Sequence, residues 1–321
     1  MDPQEARQMT MRFGAGFWVQ RAGWPELRDA VRRADAAGFD DIWIDDHLLS
    51  DEADWHDDKL EAWTTLAAVA AVTEHARLGH MVVANTLRNP GLVAKMATTV
   101  DHISGGRAIL GMGAGWFERE HEAFGFDFGG SVGERLDRLA EALPLLRRLL
   151  DGETVTHHGR TYDFTDALCA PRPVQAHLPI LIGGSGPKKT LPMVARHADL
   201  WNTYGSPAQV SAADALLRAE CDVIGRDPEA VERTVNLNVV IRDTRDEAER
   251  AWKGWFEVHQ PHGGEGTLDA AGPVADVAAA IARYRDVGFA HPILIFRTPW
   301  DLETIDRLPE LRAALEGDGG S

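Results

Sequence analysis

Cysteine is nearly absent: Cys169 and Cys221 are the only two in 321 residues, too far apart for metal or redox spacing. A disulfide scaffold is excluded, and two reduced thiols in a cytosolic protein are expected. Long apolar runs are also missing. The longest tract, residues 66–72, is short and Ala-rich, far below the roughly 18 residues a membrane helix needs. Residues 1–11 are polar and carry Asp2 and Glu5, so they have neither the basic start nor the apolar core of a signal peptide. Positive charge is scarce: 33 Lys and Arg stand against 50 Asp and Glu, a formal charge of −17. Such a surface repels nucleic acid phosphates and anionic lipid, and basic clusters are confined to short pairs such as Arg147-Arg148 and Lys188-Lys189. Neither nucleic acid nor a membrane is an expected partner. Disorder and collagen are excluded by 44% apolar residues with only 31 Gly and 16 Pro.

What is present is a regular alternation. Strand-like runs at 12–17, 41–44, 78–83, 107–111, 179–182, 200–203, 235–241 and 292–296 alternate with amphipathic helices at 26–37, 61–74, 90–103, 132–150, 188–197, 207–224, 246–255, 274–287 and 302–315. Gly38 closes the first helix and Pro90 opens the third. An insertion after the fourth helix, residues 154–164, alternates like a hairpin around His158-Gly159, and residues 261–272 read as a Gly-rich loop. Eight strands, each followed by a helix, with no Ser- or Pro-rich linker predict one α/β domain over 1–321, a (β/α)8 TIM barrel with its active site at the C-terminal strand ends. An open doubly wound sheet would want a dinucleotide fingerprint. Gly14-Ala15-Gly16 and Gly111-Met112-Gly113-Ala114-Gly115-Trp116 both lack its third glycine.

The strand ends carry the candidates. After the second strand, Asp46-His47 sets a carboxylate beside a group that exchanges protons near neutral pH; the bland alternative is a surface histidine. After the third, residues 84–90 form a polar turn with ordinary cap chemistry as its plain reading. After the fourth, Ala114, Gly115 and Trp116 let a planar ligand approach the backbone and border it, or make a tight turn with a packing Trp. After the fifth, Gly183, Gly184, Ser185 and Gly186 run into Lys188, Lys189 and a helix start, a constellation suited to phosphate. His259 and His262 lack a third ligand and sit beside Pro261, so no metal is expected.

These segments resemble the bacterial-luciferase-like flavin and deazaflavin oxidoreductases, in particular the coenzyme F420-dependent group. The resemblance runs through Ala36-Ala-Gly-Phe-Asp-Asp-Ile-Trp, Asp46-His47, Arg88-Asn-Pro, Asp101-His-Ile-Ser-Gly-Gly-Arg, Leu110-Gly-Met-Gly-Ala-Gly-Trp, Ala170-Pro-Arg-Pro-Val-Gln and Pro179-Ile-Leu-Ile-Gly-Gly-Ser-Gly, in the family's order over residues 12 to about 205. It implies a luciferase-like barrel acting as a homodimer, with the tricyclic ring of F420 across the barrel mouth. Asp46 would contact the ring and His47 would transfer the proton. A non-proline cis peptide at Met81-Val82 would back the ring, Asn85 and Thr86 would edge it, and residues 183–186 would hold the phosphate.

The resemblance implies hydride transfer between the deazaflavin C5 and a small organic substrate. FMN in the same site, used by a monooxygenase with oxygen, shares the motifs; Lys188 and Lys189 tilt toward the acidic tail of F420. A protein that binds the cofactor without turnover would have no need of His47. Relatives acting on sugar phosphates carry a Glu where this chain has Trp116 and a Trp where it has Ser50 or Asp51, which speaks against that substrate. Trp18, Trp116, Trp201, Arg297 and the loop around Gly263 are the expected substrate walls.

Overall fold

In the computed structural model, which describes residues 10–52, 54–259 and 267–317, the strands are β1 (Gly14–Trp18), β2 (Asp41–Ile44), β3 (Arg77–His80), β4 (Val83–Ala84), β5 (Ala108–Gly113), β6 (Thr154–His158), β7 (Asp163–Leu168), β8 (Ile180–Gly183), β9 (Leu200–Thr203), β10 (Glu232–Leu237), β11 (Val239–Ile241), β12 (Ala270–Gly272) and β13 (His291–Arg297). Parallel pairings run β3-β2-β1-β13-β10-β9-β8-β5, and a β3–β5 pairing closes the ring. This is a closed eight-stranded parallel barrel with helices between its strands. Because helices cover the outside, the strands are buried on both faces and read as apolar runs rather than alternations.

Two hydrophobic layers result. Trp43, Met81, Ile109, Leu181, Leu200, Ile293 and Ile295 fill the barrel interior. Trp43 occupies its share of that space because positions 14 and 79 are glycine: a Cβ on Gly79 would lie 2.6 Å from the indole, and one on Gly14 would lie 2.9 Å from its Nε1. The larger layer lies between strands and helices. Helix ends follow the residues expected to set them. Gly38 takes a left-handed φ of 90° at the end of the helix Trp24–Ala37, and Asn89 caps the helix Pro90–Ser104 through the Gly91 N–H.

Family motifs away from the barrel mouth turn out to be staples. Asp101 is fully buried; its Oδ2 accepts from the Val174 and Gln175 N–H groups at 2.7 and 3.1 Å, and its Oδ1 from the Gln175 amide at 2.7 Å. Arg107 donates to the carbonyls of Ala76, Thr73 and Ala70 at 2.5, 2.8 and 3.1 Å. These bonds join the Asp101–Arg107 and Ala170–Gln175 segments and satisfy carbonyls left over at a helix end. At the barrel base, His291 forms ion pairs with Asp41 at 2.6 Å and Glu232 at 2.7 Å, and Asp41 also meets Arg77.

The structure corrects several element assignments. The run 78–83 is two pieces, β3 and β4, separated by a cis peptide between Met81 and Val82. The run 235–241 is also two pieces. Its second half, β11, leaves the barrel to pair in parallel with β12, inside the stretch read as loop. Ala270-Ala271-Gly272 has little strand character, and the partner supplies the pairing. A seven-residue helix, Glu118–Phe124, escaped notice because it is too short for a clear period. The hairpin is real and antiparallel, and its turn closes with the Gly159 N–H on the Tyr162 carbonyl at 3.0 Å. Among the described residues, no helix is long and apolar enough to cross a membrane.

Candidate functional site

The loops after β2, β4, β5 and β8 meet at one end of the barrel. They enclose a cavity of about 230 Å³ lined by Asp46, His47, Met81, Val82, Ala84, Gly113, Ala114, Gly115, Trp116 and Gly183. Larger cavities exist, but this one gathers residues from four strand ends and contains a titratable pair.

Asp46 is buried. Its Oδ2 accepts from the Ala84 N–H at 3.0 Å and from Arg88 Nη1 at 2.7 Å. Its Oδ1 is buried without a hydrogen-bond partner, an acceptor held in place beside the cavity. Arg88 also donates to Glu61 at 2.8 Å, and Glu61 caps the helix Ala62–Val72, so the carboxylate of Asp46 is anchored to secondary structure.

His47 is 9% exposed. Its Nδ1 lies 3.2 Å from Glu120 Oε1, while Glu120 Oε2 accepts the Leu48 N–H at 2.7 Å. Nε2 lies 3.9 Å from Asp51 Oδ2. Burial disfavours the imidazolium, but the Glu120 hydrogen bond and the charges of Asp51 and Glu120 outweigh it and hold the pKa above its ordinary value. The rings of Trp116 and Phe117 pack edgewise on His47 at 5.4 and 5.8 Å. The sequence reading missed Glu120. It sits in the run Glu118-Arg119-Glu120-His121-Glu122, which looks like a solvated face, yet Glu120 is fully buried.

The remaining candidates divide. Met81, Val82, Ala114, Gly115, Trp116 and Gly183 line the cavity, with Trp116 56% exposed at its rim. Glycines keep the wall close: a Cβ on Gly113 would meet Val82 at 2.5 Å, and one on Gly115, whose φ is 79°, would meet Thr86 Oγ1 at 2.5 Å. Asn85 and Thr86 stand behind this wall. Asn85 donates to the Tyr162 hydroxyl at 2.9 Å and keeps a buried, unpartnered Oδ1; Thr86 Oγ1 lies 2.7 Å from His121 Nε2. Gly184 has a φ of 114° and donates its N–H to Asn202. Ser185, Gly186 and Lys188 are exposed ahead of the helix Thr190–His197. Lys189 is also partly exposed, but its ammonium is held by Asp137 and the Gly133 carbonyl.

Across the mouth lies a cavity of about 560 Å³ whose lining includes Trp18, Tyr204, Asn236, Asn238 and Arg297. Trp201, expected beside them, is fully buried in the core, where its indole N–H donates to the Gly184 carbonyl at 2.7 Å. Its position at the second residue of β9 turns it between sheet and helices. Gly263 and the side chains of His259 and His262 lie outside the described residues. Among the described residues no cluster could hold a metal ion.

A planar tricyclic ring with a phosphate arm fits these residues. The glycine-lined cleft would admit the ring, the orphaned Asp46 Oδ1 would accept a ring N–H, and the loop after Gly183 presents exposed backbone at a helix start.

Comparison with known proteins agrees. An F420-dependent glucose-6-phosphate dehydrogenase of Kineococcus radiotolerans is 30% identical, with 85% of this chain and 87% of that protein covered. An F420-dependent hydroxymycolic acid dehydrogenase of Mycobacterium tuberculosis is 31% identical, over 69% and 60%. Among solved structures, an F420-dependent secondary alcohol dehydrogenase in complex with an F420-acetone adduct superposes with a TM-score of 0.81 at 21% identity, covering 96% of this chain and 99% of that one. The sequence profile of the luciferase-like monooxygenase family matches residues 7–291, and the chain belongs to that family.

Proposed function

We propose that this chain is a coenzyme F420-dependent oxidoreductase that passes a hydride between the deazaflavin and a small organic substrate. The observation that carries the reading is His47, its Nδ1 held by the buried Glu120 and its ring lining a cleft with Asp46, whose buried Oδ1 is unpartnered. The relatives named above as F420-dependent support it. Bound there, the deazaflavin would supply a hydride donor or acceptor at its C5.

The chain's own residues supply placement and the proton. Met81, Val82 and Gly115 would support the ring and Asp46 would fix its orientation. Residues 183–186 would hold the phosphate through backbone N–H groups, with Lys188 adding charge. With Nδ1 engaged by Glu120, Nε2 of His47 is the nitrogen left to exchange a proton with the substrate. In the oxidising direction the substrate gives up a hydride and a hydroxyl proton, the latter to Nε2. Phe117 and Trp116 cover the imidazole and limit its contact with water.

We place the enzyme in the cytoplasm, in keeping with its two reduced thiols, as one-domain chains over residues 1–321 that pair as a homodimer, as the resemblance implies. Titration of the apo-protein with oxidised F420 and with FMN, following tryptophan fluorescence at fixed salt, tests the cofactor. Tight F420 binding with weak FMN binding is expected. The reverse order moves the chain to flavin-dependent monooxygenation, and binding of neither overturns both.

A further inference from the structure

Arg297 ends β13 beside Trp18, its register partner on β1. Its guanidinium lies 4.7 Å from the Trp255 ring centroid and 5.9 Å from that of Trp18, so aromatic faces cover its plane. Nη1 donates to Asn238 Oδ1 at 2.9 Å. Although the chain carries 50 acidic residues, no carboxylate forms an ion pair with Arg297 among the described residues. The nearby acids are committed elsewhere: Asp45 accepts from Lys59 and the Val19 N–H, and Asp51 from Gln20. Arg297 lines two cavities, of about 410 and 560 Å³. Burial holds its pKa below the ordinary arginine value, and the charges of Asp51, Glu52 and Asp45 only partly oppose this. A half-buried cation that lines two cavities and has no carboxylate ion pair among the described residues is costly until an anion meets it.

We propose that Arg297 binds a carboxylate on the substrate, whose apolar body lies against Trp18, Trp255 and Ile295. A carboxylate matches the planar donor fork of arginine with two parallel hydrogen bonds. The anionic arm of the cofactor is the other possible source of such a group. The loop after Gly183 would hold that arm, and β9 and β10 stand between β8 and β13, which favours the substrate. Asp51 links the two regions: it lies 3.9 Å from His47 Nε2 and its charge is felt by Arg297. A carboxylate at Arg297 therefore sits across the mouth from the ring, on the side of the loop that carries His47. The inference rests on the cofactor placement proposed above.

The probes are benzoate and its neutral isostere benzamide, titrated into the full chain without cofactor and followed by calorimetry. Benzoate is expected to bind about tenfold or more tightly than benzamide, the difference a charged hydrogen-bonded pair provides. Arg297→Met should abolish that preference, while F420 affinity stays at the wild-type value. Arg297→Lys, which keeps the charge and loses the fork, should retain part of the preference, and it serves if the Met variant does not fold. Equal binding of the two probes to the wild type, binding of neither, or an undiminished preference in Arg297→Met overturns the proposal. So does loss of F420 affinity in that variant, which would assign Arg297 to the cofactor. Failure of F420 to bind the wild type would instead defeat the cofactor reading, and the benzoate comparison would still be read independently.

Discussion

Glu120 holds His47 from 73 positions away: one carboxylate oxygen lies 3.2 Å from Nδ1 and the other accepts the Leu48 N–H at 2.7 Å. The carboxylate thus fixes both the ring and the backbone that carries it. It also raises the affinity of the imidazole for a proton in a buried setting where burial alone would lower it.

Replacing His47 by Ala should leave F420 affinity in place and lower turnover by about 10²- to 10⁴-fold, the range for a lost general acid or base. Single-turnover kinetics with saturating cofactor checks this. Loss of binding with unchanged activity in the bound fraction would remove His47 from the proton-transfer role.

Glu120→Gln keeps the shape and removes the charge. The His47 pKa should then fall, and the limb of the pH–rate profile that reports it should move to lower pH. The expected drop in kcat is about 10- to 100-fold, as for groups that orient a functional imidazole. A histidine NMR titration distinguishes this from a merely structural effect, which would lower activity without moving the pKa.

Asp101→Ala removes the acceptor for the Val174 and Gln175 N–H groups and the Gln175 amide. Stranding these part-buried donors should destabilise the protein by about 1–3 kcal/mol. Urea unfolding measures it, and a change below about 1 kcal/mol would show that water replaces the carboxylate.

At the barrel base the pH dependence has a definite sign. His291 titrates above its ordinary value: burial opposes this, but Asp41 and Glu232 overcome it. Its contribution is therefore complete below its unfolded value of about 6.5 and is lost as pH rises through the raised folded value. Asp41 and Glu232 are shifted down despite burial, by His291 and Arg77. Their contribution is present above about pH 4 and is lost as pH falls through their lowered folded values. The stability difference between wild type and His291→Gln should consequently shrink at both ends, and chemical denaturation across pH would reveal a flat difference if the cluster were inert.

Much of the site was legible because barrel chemistry gathers at strand ends, and those ends are marked by abrupt switches from apolar runs to glycine and polar residues. Asp46-His47, the glycines at 113 and 115 and the turn after Gly183 all announce themselves in this way. Glu120 and Arg88 did not. Glu120 is an ordinary charged residue in a charged stretch and Arg88 sits in a turn that reads as cap chemistry; the approach of the β2 loop gives Glu120 its partner and Arg88 one of its two. Lys188 and Lys189 read alike in the chain, but Asp137, far away in sequence, claims only Lys189.

The sequence by itself determined the alternation of strand and helix, hence the barrel and the end at which its chemistry lies, because hydrophobic period and cap residues are local properties. Tertiary structure alone decided which charges are paired, which acceptors are orphaned and which aromatic rings face the mouth. Trp18 lines a cavity while Trp201 is sealed in the core. The reason is physical: burial and electrostatic partnership are set by residues distant in sequence, and no local pattern carries them.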